Sequence, residues 1–94
     1  MSSRARTVYE PAFHPDAVED LKALDKTIRQ RVLDRIHWLL AHVEEIRHKP
    51  LTAHWAGMYR LRVGDYRVVH EIDRPQGRVI IYAVGHRCEI YKPL

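Results

Sequence analysis

Four arginines and a tyrosine near the C-terminus are the residues of this 94-residue chain best suited to chemistry on an anion. Arg60, Arg62 and Arg67 lie close together in sequence, and Arg87 follows one turn signal later. A guanidinium offers a planar fork of donors that matches phosphate oxygens, and it stays charged at any physiological pH. Tyr91 supplies an aromatic ring that can stack on an unpaired base or simply cover a sheet edge. His86, beside Arg87, titrates in the useful range for proton transfer, and Glu71 is a second candidate. Gathered on one surface, these groups would grip the backbone of a nucleic acid. Splayed into water, they would be an ordinary solvated face, so the elements that carry them decide.

From Met58 onward the apolar period is two, and strands are expected at Met58 to Val63, Tyr66 to Ile72 and Arg78 to Val84. Gly64-Asp65 is a glycine-first, two-residue hairpin loop, which makes the first two strands antiparallel. That loop length sets Val63 opposite Tyr66, Arg62 opposite Arg67, and Arg60 opposite Val69. Tyr59, Leu61, Val63, Tyr66, Val68, His70 and Ile72 then share the helix-facing surface, and Arg60, Arg62 and Arg67 share the other. Like charges directly opposite each other destabilise a sheet, so an anion is a reason for the pair to exist. On the third strand, Ile80, Tyr82 and Val84 are expected in the core. Val79, Ile81 and Ala83 would then face the arginines, with Arg87 continuing on their side. Val69, Val79 and Ile81 would also form an apolar docking surface there.

The first half of the chain must supply the layer beneath. Thr7 to Phe13 suggests a short strand, held to a sheet edge by Pro11. His14-Pro15-Asp16 begins a helix whose apolar stripe is Ala17, Val18, Leu21 and Leu24. After a break and cap at Asp25 to Thr27, a second helix of about Ile28 to Ile46 buries Ile28, Val32, Leu33, Ile36, Leu39, Leu40, Val43 and Ile46 on one face. Trp38 points away from that face, either lying flat on a neighbour or anchoring a partner. His37 and His42 lack the spacing that aligns two metal ligands on a helix, and no metal is expected. The fold class is α/β (α+β): a two-layer sandwich in the order β-α-α-β-β-β, with a mainly antiparallel sheet on two helices.

Composition sets the bounds. With 46% apolar and 30% charged residues the chain is globular, and it is long enough for one core, so a single domain over 1–94 with a frayed start through Arg6 is expected. No apolar run is long enough to span a bilayer, and the opening MSSRART has no apolar stretch of a secretory signal. One cysteine, Cys88, agrees with a reducing compartment, and the cytoplasm is the expected location. A formal charge of +4 points toward anionic partners such as nucleic acid.

Pro50-Leu51, then Gly57-Met58-Tyr59-Arg60-Leu61-Arg62-Val63-Gly64-Asp65-Tyr66-Arg67-Val68-Val69, then Val84-Gly85-His86-Arg87, resembles the RelE/ParE toxin family. The resemblance runs from Tyr9 to Tyr91. It implies the toxin of a type II toxin–antitoxin system, whose partner is a cognate antitoxin protein. Toxins of the RelE branch cut mRNA in the ribosomal A site, and those of the ParE branch poison DNA gyrase. In the RelE branch the places of Arg60 and Arg62 hold paired basic residues. Arg67 falls on a transition-state arginine, Arg87 on an arginine near the leaving oxygen, and Tyr91 on a base-stacking tyrosine. Gyrase-directed relatives generally lack the full set, so the resemblance favours a metal-free endoribonuclease with no cofactor. One departure matters: the best-studied member of that branch has lysines at the places of Arg60 and Arg62, and arginine is a poor general base. Proton abstraction is therefore open, with His86 the first alternative. A toxin-fold protein without catalysis, serving in a DNA-binding repressor complex, is the reading from the binding class.

Overall fold

The computed structural model describes residues 8–90. The expected fraying through Arg6, the start of the first strand at Thr7, and Tyr91 all lie outside those residues. Strand β1 (Glu10–Phe13) leads into helix α1 (Pro15–Ala23) and helix α2 (Lys26–His42). Strands β2 (Lys49–Pro50), β3 (Tyr59–Val63), β4 (Tyr66–Asp73) and β5 (Arg78–His86) follow, with a single 3₁₀ turn at Ala53–Trp55 between β2 and β3.

Local chemistry accounts for the helix ends. The His14 ring caps α1 by accepting from the Asp16 amide, and Pro15 occupies the first helical position, where its missing N–H costs nothing. The Asp25 carboxylate caps α2 by accepting from Ile28 N–H. Helix α2 ends at His42, earlier than its apolar pattern suggests. Val43 remains buried and Ile46 still packs on the core, so their spacing continues past the end of the helix.

The sheet order is β1-β5-β4-β3-β2, with β1 parallel to β5 and every other neighbour antiparallel. Pro11 does lie on an edge strand, as its missing donor requires. Helix α1 lies against β5, where the Asp20 carboxylate accepts a 3.0 Å hydrogen bond from the Val84 amide. That bond satisfies a donor on β5 beyond the reach of β1, which stops opposite Ile81. The core fills the space between helices and sheet with Ala17, Leu21, Val32, Ile36, Leu39, Leu61, Val68, Val79, Ile81 and Val84, among others.

The third strand departs from the expected parity. Val69 pairs with Ala83 but His70 pairs with Ile81, so Tyr82 is an extra residue and β5 carries a bulge there. Val79 and Ile81 are therefore fully buried in the helix-facing core, not on the arginine face. Ile80 and Tyr82 move the other way: Ile80 pairs with Glu71, and Tyr82 donates its hydroxyl to the Glu71 carboxylate. Beyond the bulge Ala83 and Val84 take their expected sides. The apolar docking surface of Val69, Val79 and Ile81 does not form, because two of its members are in the core and Val69 is itself fully buried.

Candidate nucleic-acid interface

The β3–β4 hairpin sets the site. Gly64 adopts φ 57°, the left-handed conformation that a glycine-first tight turn needs at that position. Register follows as the loop length requires: Val63 opposite Tyr66, Arg62 opposite Arg67, Leu61 opposite Val68 and Arg60 opposite Val69. Residues paired across an antiparallel ladder share a face, so Arg60, Arg62 and Arg67 lie together on the surface turned away from the helices.

Their environments differ. Arg60 and Arg62 are exposed. Arg67 is 8% exposed, and its Nη1 donates to the carbonyls of Gly64 and Tyr66, each at 2.9 Å. Its Nε is buried without a hydrogen-bond partner. Arg67 thus lies down on the hairpin instead of reaching into water, with the guanidinium braced by backbone carbonyls.

Arg87 joins the hairpin from the far end of β5. Its amide donates to the Asp65 carbonyl at 2.8 Å, and its Nε stands 3.7 Å from the Asp65 carboxylate. Both side chains are largely exposed, so this ion pair contributes little to stability. What it does is orient a guanidinium at the turn that also holds Arg67.

His86 behaves differently from expectation. It pairs with Tyr66, with the two rings edge to face at 5.5 Å, so its register sets it on the Tyr66 face, opposite the arginines. Its Nδ1 accepts from the Cys88 amide at 3.1 Å and so shapes the turn that carries Arg87. Glu71 does lie on the arginine face, but four residues along β4 from Arg67, about 13 Å at strand rise. Its carboxylate is engaged by Tyr82, and that hydrogen bond, with burial, raises the pKa of the Tyr82 phenol.

Two contributors escaped sequence reasoning. Lys49 pairs with Arg60 across β2 and β3, adding a fifth cation to the face. A two-residue strand has no alternation to read, so no pattern announced it. Trp55, in the turn between β2 and β3, donates its indole N–H to the Ile90 carbonyl at 3.3 Å, reaching the segment that follows Arg87. Trp38 lies beneath the Arg35 guanidinium, 4.1 Å from the ring centre, and stacks on His42 at 4.5 Å, which is the flat packing on a neighbour that its position allowed.

The structure so far defines a small two-layer α+β domain with a cationic hairpin face. The family described as the ParE toxin of the type II toxin–antitoxin system, parDE, matches residues 12–91. The chain is 32% identical over 84 residues to the toxin RelG of Mycobacterium tuberculosis, covering 89% of this chain and 97% of that protein. Among solved structures, the RelBE2 toxin–antitoxin complex of the same organism superposes with a TM-score of 0.78 at 28% identity, over 93% of this chain and all of that one. The archaeal RelE–RelB complex of Pyrococcus horikoshii superposes with a TM-score of 0.69 at 25% identity, over 87% of this chain and 98% of that one. The chain belongs to the RelE/ParE family of toxins of type II toxin–antitoxin systems.

Proposed function

We propose that this chain is a ribosome-dependent mRNA endonuclease that halts translation, held in check by a cognate antitoxin protein covering the basic face. The observation that carries this reading is the pairing of Arg62 with Arg67 on one face of a hairpin whose loop residue Asp65 also holds Arg87, with Arg60 and Lys49 extending the charge along that face. The relatives solved as toxin–antitoxin complexes support the antitoxin partner. Among the described residues no helix is long and apolar enough to cross a membrane, and a ribosomal target puts the site of action in the cytoplasm.

The reaction is an internal transesterification. The RNA 2′-oxygen attacks the adjacent phosphorus and the bond from phosphorus to the 5′-oxygen breaks, leaving a 2′,3′-cyclic phosphate and a 5′-hydroxyl. Charge that builds on the phosphorane oxygens is met by the guanidiniums of Arg67 and Arg87, with Arg60 and Arg62 holding the flanking phosphates. Arg67 is braced against two carbonyls before substrate arrives, so it needs little reorganisation. Tyr91 stacks on the neighbouring base. The 2′-hydroxyl proton leaves through water or a phosphate oxygen, and the 5′-oxygen gains one in return. His86 and Glu71 fit this step poorly, one for its face and the other for its distance along the strand. So written, the reaction asks for no metal or cofactor, and most of the rate comes from the ribosome holding the strand in line.

Inducing the chain in bacteria tests the reading: translation should stop and mRNA should acquire cleavages in the A-site codon. The match to the ParE family favours a second reading, gyrase poisoning, which predicts intact mRNA and inhibited DNA supercoiling. A non-catalytic role in a DNA-binding repressor complex predicts a growth defect that survives both Arg67→Ala and Arg87→Ala.

A further inference from the structure

The turn that carries Arg87 is short, close to the C-terminus and built mostly on itself. The Glu89 and Ile90 amides donate to the His86 carbonyl at 2.8 and 2.9 Å, and Cys88 N–H donates to the His86 ring. Such local bonds shape a turn without locating it over the sheet. Among the described residues, two longer connections contribute to that. At one end, the Arg87 amide is bonded to Asp65 in the hairpin loop. At the other, the Ile90 side chain lies on Gly85, where a Cβ would come within 3.3 Å of Ile90 Cδ1, and the Ile90 carbonyl accepts from the Trp55 indole 35 residues earlier.

Trp55 is placed for this by a loop with an unusual backbone. The β2–β3 hairpin continues to Leu51 N–H donating to the Met58 carbonyl, and the residues between fold into the turn at Ala53–Trp55. Ala53, with φ 56°, is the one non-glycine among the described residues in the left-handed region. Alanine gains nothing from that conformation, so the surrounding contacts must hold it there. Amide bonds from Trp55 to Thr52, from Ala56 to Ala53 and from Met58 to Trp55 do so, and together they aim the indole at Ile90.

We infer that Trp55 is a positioning residue for Arg87: by fixing Ile90 against Gly85, it holds the turn so that the arginine stays at the hairpin end of the face beside Arg67. Trp55 itself touches neither phosphate nor base in this arrangement. This inference rests on the RNA-cleavage reading above.

The test is a double-mutant cycle in single-turnover cleavage of ribosome-bound mRNA. Trp55→Phe keeps a ring in the loop and deletes the N–H. It should lower the cleavage rate at saturating ribosome by roughly tenfold while leaving the half-saturating ribosome concentration and the melting temperature nearly unchanged. In an Arg87→Ala background the same change should have less than about twofold further effect, and in an Arg62→Ala background the full loss should reappear. Equal effects of Trp55→Phe with and without Arg87, or no effect at all, would overturn the positioning role while leaving cleavage intact. A wild-type chain that cuts no mRNA would overturn the cleavage reading and the positioning role with it.

Discussion

The Arg67 guanidinium folds back on its own hairpin and donates to the Gly64 carbonyl at 2.9 Å, whereas Arg62, directly opposite on the neighbouring strand, is exposed. Two like charges that face each other across a ladder would ordinarily repel. Here the carbonyls of Gly64 and Tyr66 take up one of them, so the pair coexists without an anion and keeps a cationic surface ready for one.

Arg67 should therefore matter to both stability and chemistry. Arg67→Ala removes two charged hydrogen bonds from a nearly buried position and should cost about 2 kcal/mol in urea denaturation. Arg67→Lys keeps the charge but loses the fork, and mRNA cleavage should fall by about 100-fold even where the protein remains folded. Wild-type cleavage by Arg67→Lys would contradict the role given to this side chain.

Arg60 and Arg62 should behave in the opposite way. Both are exposed, so alanine at either should change stability by less than about 0.5 kcal/mol. Each lost phosphate contact should make the salt dependence of single-stranded RNA binding shallower, by about 0.7 in the slope of log affinity against log salt. Fluorescence anisotropy with a labelled oligonucleotide across a salt series measures that slope, and an unchanged slope would place these arginines away from the backbone.

Asp20 tests the packing of α1 on β5. Asp20→Ala leaves the Val84 amide without its acceptor and should destabilise the protein by about 1 to 3 kcal/mol. Growth arrest on strong induction should persist, because Asp20 acts on the Val84 backbone and is not itself one of the cationic side chains. A melt unchanged from wild type would mean that water replaces the carboxylate at no cost.

His70 should make stability fall in acid. It is fully buried on the helix side, and burial first, then the nearby His48, lowers its pKa from 6.5 to about 4. The unfolded chain therefore takes up this proton at a higher pH than the folded one. The His70 contribution is complete above the unfolded value and is lost as pH drops from 6.5 toward about 4, up to roughly 3 kcal/mol. Urea denaturation at a series of pH values should show that slope in the wild type, and His70→Leu should flatten it. Parallel curves for the two proteins would refute the assignment.

Much of this molecule is legible in its sequence, and the reasons are local. A two-residue glycine-first loop leaves one register open to the strands beside it, so the facing of Arg62 and Arg67 follows from Gly64-Asp65 alone. The helix starts at His14 to Pro15 and at Asp25 are likewise written in capping chemistry that acts within one turn. The four-residue connection between β4 and β5 sets no such register, and strict alternation along β5 fails at a bulge at Tyr82 that no local signal marks. That one extra residue exchanged Val79 and Ile81 with Ile80 and Tyr82 between the two faces.

The order of residues by itself determined the class of fold, the helix caps and the hairpin that sets basic side chains in pairs, because each depends on neighbours a few positions apart. Only tertiary structure decided that Arg67 lies braced while Arg62 stands free, that Lys49 joins the cationic face, that His86 turns away from it, and that Trp55 reaches Ile90. The Arg67 brace is made within its own hairpin, by a side-chain rotamer that residue type leaves open, whereas the other outcomes turn on contacts between segments distant in the chain. Strand pairing and packing choose such contacts globally, and no short stretch of sequence contains both partners.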